Sequence, residues 1–156
     1  MQMSNRISGF QCSPIRRLVP MARAAKERGV HVIHLNIGQP DIKTPSEALD
    51  AIHNYKDETI AYGLSEGEVG LRKALLEYYK KMGIEDLTID DIMITTGGSE
   101  AIQFTFITLC DPYDEFIIPE PYYTNVATFA NVAMVRLRPV TSSSSNAFIL
   151  PAIDAF

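Results

Sequence analysis

Ile92-Met93-Ile94-Thr95-Thr96-Gly97-Gly98-Ser99-Glu100, continued by Ala101-Ile102-Gln103-Phe104-Thr105-Phe106-Ile107-Thr108-Leu109, is the stretch on which the fold turns. A short apolar run enters a threonine–glycine turn, and the turn opens straight into a segment of helical length. Strand, tight turn and helix in immediate succession begin a βα unit. The helix, Glu100 to Leu109, is apolar nearly all round at Ala101, Ile102, Phe104, Phe106, Ile107 and Leu109, which predicts burial on more than one side. The pattern repeats downstream. Asp111–Asp114 is a turn, Phe116-Ile117-Ile118 a second strand broken by Pro119-Glu120-Pro121, Tyr122–Val132 a helix and Met134–Leu137 a third strand. Short apolar strands alternating with helices indicate an α/β fold, βαβαβ with a parallel sheet and right-handed crossovers. Sheets average about five to six strands, so a three-stranded one reads as unfinished.

Upstream, Ser13-Pro14 opens a helix, with Ser13 as N-cap and Pro14 in the first position. It should run to about Arg28 and stop at Gly29, with Pro20 kinking or splitting it. Val30 to Leu35 reads as a weak strand, and Gly38–Asp41 as a turn. Thr44 and Glu47 have capping-box spacing around Pro45 and start a helix that ends near Tyr55. A loop from Lys56 to Gly67 leads to a longer helix, Glu68 to Met82, closed by Gly83. Its apolar face is Val69, Leu75, Leu76, Tyr79 and Met82, with Arg72, Lys73, Lys80 and Lys81 mainly opposite. Residues 1–12 read as an arm, and Thr141–Asn146 as a small polar turn.

Composition narrows the function classes. The chain has 156 residues, 46% hydrophobic and 21% charged, with a formal net charge of −5. That is the make-up of an ordinary soluble domain rather than a disordered or fibrous chain. An acidic balance without a basic block argues against nucleic acid or an anionic membrane as partner. Cys12 and Cys110 suggest neither a disulfide framework nor a zinc site. With no apolar leader and no run near the roughly 18 residues of a membrane span, the cytoplasm is the expected compartment. His31 and His34 would point to opposite faces of a strand, with no third ligand apparent. Asp57-Glu58, Asp90-Asp91 and Asp114-Glu115 read as solvated turn charges.

Four stretches remain as candidates for chemistry. In Thr95–Glu100 glycines let a backbone approach a ligand, and the helix start offers free amides and a positive dipole end to a phosphate. The Ser99 hydroxyl adds a donor, although such a turn also arises for steric reasons alone. Neither nucleotide-type glycine pattern is present. Pro119-Glu120-Pro121-Tyr122-Tyr123 follows the next strand, so it should face the same crevice at the carboxyl ends of the sheet. An aromatic there can stack on a flat heteroaromatic ring or simply pack on the sheet end. Asn36-Ile37-Gly38-Gln39-Pro40-Asp41 can present backbone to a small ligand. Ala61-Tyr62-Gly63-Leu64-Ser65-Glu66-Gly67, with Gly70-Leu71-Arg72, is by itself a glycine-rich loop before a helix.

In this order and spacing the four stretches resemble the N-terminal part of class I/II aminotransferases, pyridoxal-phosphate enzymes of fold type I. The resemblance runs from about Ile15 to the end. It implies residues 1–44 as N-terminal arm, first helix and substrate-side loop, and 45–156 as an incomplete cofactor-binding large domain. It implies that Gly98, Ser99 and Glu100 hold the phosphate of pyridoxal 5'-phosphate and that Tyr123 stacks on its pyridine ring. Gly38 would line the amino-acid pocket through its backbone. Tyr62 would reach the partner's cofactor phosphate across a homodimer, on which the N-terminal arm also packs. The substrates implied are an amino acid, of aspartate type or broader, and a 2-oxo acid. The family's later motifs are missing: the asparagine segment, the aspartate for the ring nitrogen, the Schiff-base lysine and the distal arginine. The chain therefore reads as a fragment, catalytically inactive alone and prone to self-associate through its exposed sheet edge. A fold type I carbon–sulfur lyase fragment and a non-catalytic phosphate-binding module stay open as alternatives.

Overall fold

The computed structural model describes residues 3–4, 7 and 13–155, so the expected arm at 1–12 and Cys12 lie almost wholly outside it. The described chain forms two compact units. One holds the residues up to Arg17 and those from Thr95 onward, and the other is Leu18–Ile94.

In the first unit, helix α1 (Pro14–Arg17) begins where Ser13-Pro14 predicts. Helix α5 (Gly98–Leu109), strand β1 (Glu115–Glu120), helix α6 (Asn125–Val132) and strand β2 (Arg136–Thr141) follow as α–β–α–β. The strands are parallel, in register Glu115↔Arg136 through Glu120↔Thr141. The sheet therefore has two strands among the described residues, and not the three expected. Ile92–Ile94 joins no ladder. Pro119-Glu120 does not break β1 either, because Pro119 continues the register opposite Val140.

Helices α5 and α6 pack on each other. Phe106, Val126, Ala130 and Val135 make the buried cluster, joined by Ile102, Phe116, Ile118 and Leu137. Phe106 meets the Phe116 ring edge-on, with centroids 5.0 Å apart. Because side chains alternate along a strand, one sheet face lies under the helices. The other carries Glu115, Ile117, Arg136 and Arg138, with Glu115 and Arg138 ion-paired across the strands. The expectation that α5 is buried on several sides fails, since Ile107 is 64% and Leu109 72% exposed. Its apolar sequence covers more surface than α6 and the sheet occupy.

In the second unit the helix expected over 13–28 is divided at Leu18, and α2 (Val19–Glu27) takes Pro20 into its first turn, where a missing N–H costs nothing. Gly29 ends it at φ +80°. Val30 to Leu35 forms no strand. Helix α3 (Ser46–His53) starts later than expected. Pro45, extended at ψ 134°, is its N-cap, and Thr44 makes no cap. Glu47 instead accepts a hydrogen bond from the Ser46 hydroxyl. Helix α4 (Val69–Lys81) follows, stopped before Gly83 at φ +96°.

Candidate active-site segments

The Thr95–Glu100 turn has the local geometry of an anion cradle. Gly97 is the N-cap of α5 at φ +84°, a conformation that favours glycine. The Ala101 and Glu100 amides both reach the Gly97 carbonyl, at 3.4 and 3.2 Å. Of the four amides a helix start leaves unpaired, those of Gly98 and Ser99 have no acceptor among the described residues. Both residues are exposed. A side-chain carbon added at Gly98 would meet nothing within 4 Å. Packing within the chain therefore does not require glycine there, while a closely approaching group would. The Glu100 side chain turns back and accepts the Thr96 amide at 2.6 Å. It stitches the turn, so the Glu100 carboxylate and amide are both engaged within it.

Tyr123 lies at the same end of this unit. Phe106 and Phe116 touch although the Cys110–Asp114 turn separates their elements, so α5 runs back against β1. Twelve helical residues span about 18 Å and six strand residues about 20 Å. The start of α5 and the carboxyl end of β1 thus fall at one level. Tyr123, just beyond β1, is 57% exposed, and its hydroxyl accepts a hydrogen bond from Asn125 Nδ2 at 2.7 Å. Its neighbour Tyr122 packs against the buried cluster. A cleft of about 800 Å³ opens beside the strand ends at Glu120 and Thr141 and the start of α6, lined by Tyr122 but not by Tyr123, Gly98 or Ser99.

Gly38 and Tyr62 belong to the Leu18–Ile94 unit. Gly38 is exposed, with nothing within 4 Å of an added Cβ, and Tyr62 stands fully in solvent. Sequence reasoning misplaced one residue here. Arg72, assigned to the solvent face of α4, is the buried charge among the described residues, 8% exposed. Its Nε donates to the Ile92 carbonyl at 2.9 Å and its guanidinium to that of Ile89 at 2.7 Å, with Asp90 3.7 Å away. The Ile94 amide donates to the Glu66 carbonyl at 2.9 Å. These contacts hold the extended residues leading into the Thr95 turn.

Two of the charged pairs read as solvated turn charges are exposed as expected and also hold their turns together. Asp91 closes a capping box, accepting the Thr88 hydroxyl at 2.6 Å and the Thr88 amide at 2.8 Å, and these bonds hold its carboxyl below the usual range. The Thr88-x-x-Asp91 spacing was the available signal. Asp114 accepts the Asp111 amide at 2.9 Å. The bond from Arg138 lowers the Glu115 carboxyl, and Arg138 is raised in turn.

The family profile described as aminotransferase class I and II matches residues 30–153. A probable aspartate/prephenate aminotransferase of Rickettsia conorii is 34% identical over 79% of this chain and 31% of that protein. An aspartate aminotransferase of Rhizobium meliloti is 32% identical over 97% of this chain and 37% of that protein. The crystal structure of an aspartate aminotransferase from Thermotoga maritima superposes with a TM-score of 0.87 at 26% identity, covering 97% of this chain and 40% of that one. The chain thus spans between about a third and two fifths of the length of these proteins.

Proposed function

The chain belongs to the class I and II aminotransferase family, and from that premise we propose that it is the phosphate-holding part of an enzyme moving an amino group between an amino acid and a 2-oxo acid. The similarity to aspartate aminotransferases supports an aspartate-type or broader substrate. Family members work with pyridoxal 5'-phosphate, whose ring, when bound, acts as the electron sink of the reaction. The reading rests above all on the two unpaired amides of Gly98 and Ser99, at an exposed helix start where glycine is not required by packing.

Gly98 and Ser99 amides, with the Ser99 hydroxyl, hold the phosphate at the positive end of α5. Glu100 keeps the turn rigid by accepting the Thr96 amide, and it stands beside the cradle as part of the same helix start, its own amide being held by the Gly97 carbonyl. Tyr123 offers its ring face to the pyridine, its phenol fixed by Asn125. Gly38 lines the amino-acid substrate pocket through its backbone. Tyr62, fully exposed, reaches the partner's phosphate in a homodimer. The cytoplasm is the compartment proposed; among the described residues no helix is long and apolar enough to cross a membrane. The chain carries no lysine in the motif that bonds to the cofactor, so by itself it binds and does not turn over.

The test is a titration of the 156-residue chain with pyridoxal phosphate and with pyridoxal, followed by absorbance and equilibrium dialysis. Saturable binding that needs the phosphate, released on dialysis and without transaminase turnover, is expected. Equal binding of the two compounds would overturn the cradle, and turnover by pure chain would overturn the inactivity.

A further inference from the structure

The amides around the Thr95–Glu100 turn are mostly engaged within it. The Gly97 amide donates to the Thr95 carbonyl at 2.7 Å, and those of Glu100 and Ala101 to the Gly97 carbonyl at 3.2 and 3.4 Å. The Thr96 amide is held by the Glu100 carboxylate at 2.6 Å. With Gly97 as N-cap, Glu100 stands at the third helical position, from which a capping-box carboxylate reaches back to the N-cap amide. Here that amide is already taken by Thr95, so the carboxylate passes on to the residue before. Gly98 and Ser99 keep two consecutive amides with no acceptor among the described residues. A fixed carboxylate therefore borders the open pair of donors. No Lys, Arg or His occurs between Lys81 and Arg136, so the turn and α5 bring no cation of their own. The family profile that matches this chain runs through the turn.

We propose that Glu100 is a specificity-determining residue of this turn, restricting it to ligands that present a single phosphate group and excluding diphosphates. The inference rests on the proposed function, in which the Gly98 and Ser99 amides hold a phosphate, and it names what that site rejects. The two open amides and the Ser99 hydroxyl serve the terminal oxygens of one monoester. A nucleotide loop that cradles linked phosphates offers a longer run of free amides and adds a lysine. In this chain the neighbouring donor, the Thr96 amide, is already occupied by an anion. A second phosphate group would have to displace the Glu100 carboxylate from Thr96 or lie against its negative charge. The positive end of α5 is shared between that carboxylate and the first phosphate, which leaves little for another. Rejection thus comes from a like charge and a withdrawn donor, and not from the size of the site.

Competition against pyridoxal phosphate on the 156-residue chain, with orthophosphate and pyrophosphate as the probes, tests this. Wild type should bind pyrophosphate no more tightly than orthophosphate, despite the larger charge. Glu100→Gln removes the carboxylate charge while its amide oxygen can still accept the Thr96 N–H, and should raise the preference for pyrophosphate about two- to fivefold, the effect of one charge at a helix start. Glu100→Ala also frees the Thr96 amide and should raise it about tenfold or more. Circular dichroism checks the fold of both variants. A residue that only stiffened the turn would weaken the two probes together and leave their ratio unmoved. Wild type that prefers pyrophosphate, or a ratio unchanged in Glu100→Gln, would overturn the proposal whether or not Glu100→Ala folds. Wild type that binds pyridoxal as tightly as pyridoxal phosphate would overturn the phosphate-holding turn itself, and this inference with it.

Discussion

Gly67→Ala should destabilise the Leu18–Ile94 unit by about 2–5 kcal/mol, the sum of two separable penalties. The first is conformational. Gly67 has φ +98°, where an L side chain costs about 1–2 kcal/mol. The second is steric. A methyl at Gly67 would fall inside the contact distance of Ile94 Cβ and Cγ1. Those atoms are the branched base of a side chain, not its flexible tip, and cannot swing away; overpacking of this kind costs about 1–3 kcal/mol. Backbone retreat is opposed by the Ile94 amide bond to Glu66 at 2.9 Å. Gly83 isolates the first penalty, because its φ is +96° and nothing lies within 4 Å of an added Cβ. Urea unfolding of wild type, Gly67→Ala and Gly83→Ala, followed by circular dichroism, should rank Gly67→Ala below Gly83→Ala by about 1–3 kcal/mol. Adding Ile94→Gly to each variant should erase that gap. Equal losses at the two glycines would refute the close approach of Gly67 and Ile94.

Three further outcomes are expected. Ser99→Ala removes a hydroxyl without a described partner, so stability should change by less than about 0.5 kcal/mol while pyridoxal phosphate affinity drops about 10- to 150-fold, the loss of a bond to a charged group of about 1.5–3 kcal/mol. Unchanged affinity in the same titration would remove Ser99 from the cradle. Arg72→Met keeps the stem volume and orphans the Ile92 carbonyl, while the Ile89 carbonyl keeps the bond from the Ile92 amide at 3.3 Å, so unfolding should come earlier by about 1–3 kcal/mol, and Arg72→Lys should recover only part because it lacks the planar fork. Asp91 has a folded pKa below its ordinary 3.8, so its box stabilises fully above that value and is lost as pH falls through the folded value. Thermal unfolding from about pH 5 to 2 should therefore show a shallower acid limb for Asp91→Asn than for wild type; identical limbs would exclude the Thr88 bonds as its cause.

Local punctuation was legible in the sequence, and pairing was not. Ser13-Pro14, Gly29 and Gly83 mark their boundaries because a cap, a fixed φ or a positive φ is decided within a few residues. The Thr95–Glu100 turn was readable for the same reason. Ile92-Met93-Ile94 reads as a strand because an apolar run carries no information on whether a neighbour exists; here a side chain and one loop carbonyl hold its backbone. Pro119 reads as a breaker because only the register reveals that its ring faces outward. Arg72 follows helical periodicity onto the polar face, and what buries it is two carbonyls some twenty residues away in sequence. The end of the unit shared by the Thr95–Glu100 turn and Tyr123 follows from element order; the companions of Gly38 and Tyr62 do not.

Arg72 also bears on how this region can change over generations. In a sheet, the carbonyls of an extended segment are served by another stretch of backbone, which any residue can occupy so long as a proline does not fall where an N–H must donate. At Ile92 that service comes from one side chain, which also reaches the carbonyl of Ile89 in the short helical turn before it. The segment is thereby freed from needing a neighbouring strand, and its apolar residues can drift among shapes of similar size. The whole tolerance is bought at a single codon, however, where even lysine is a poor replacement.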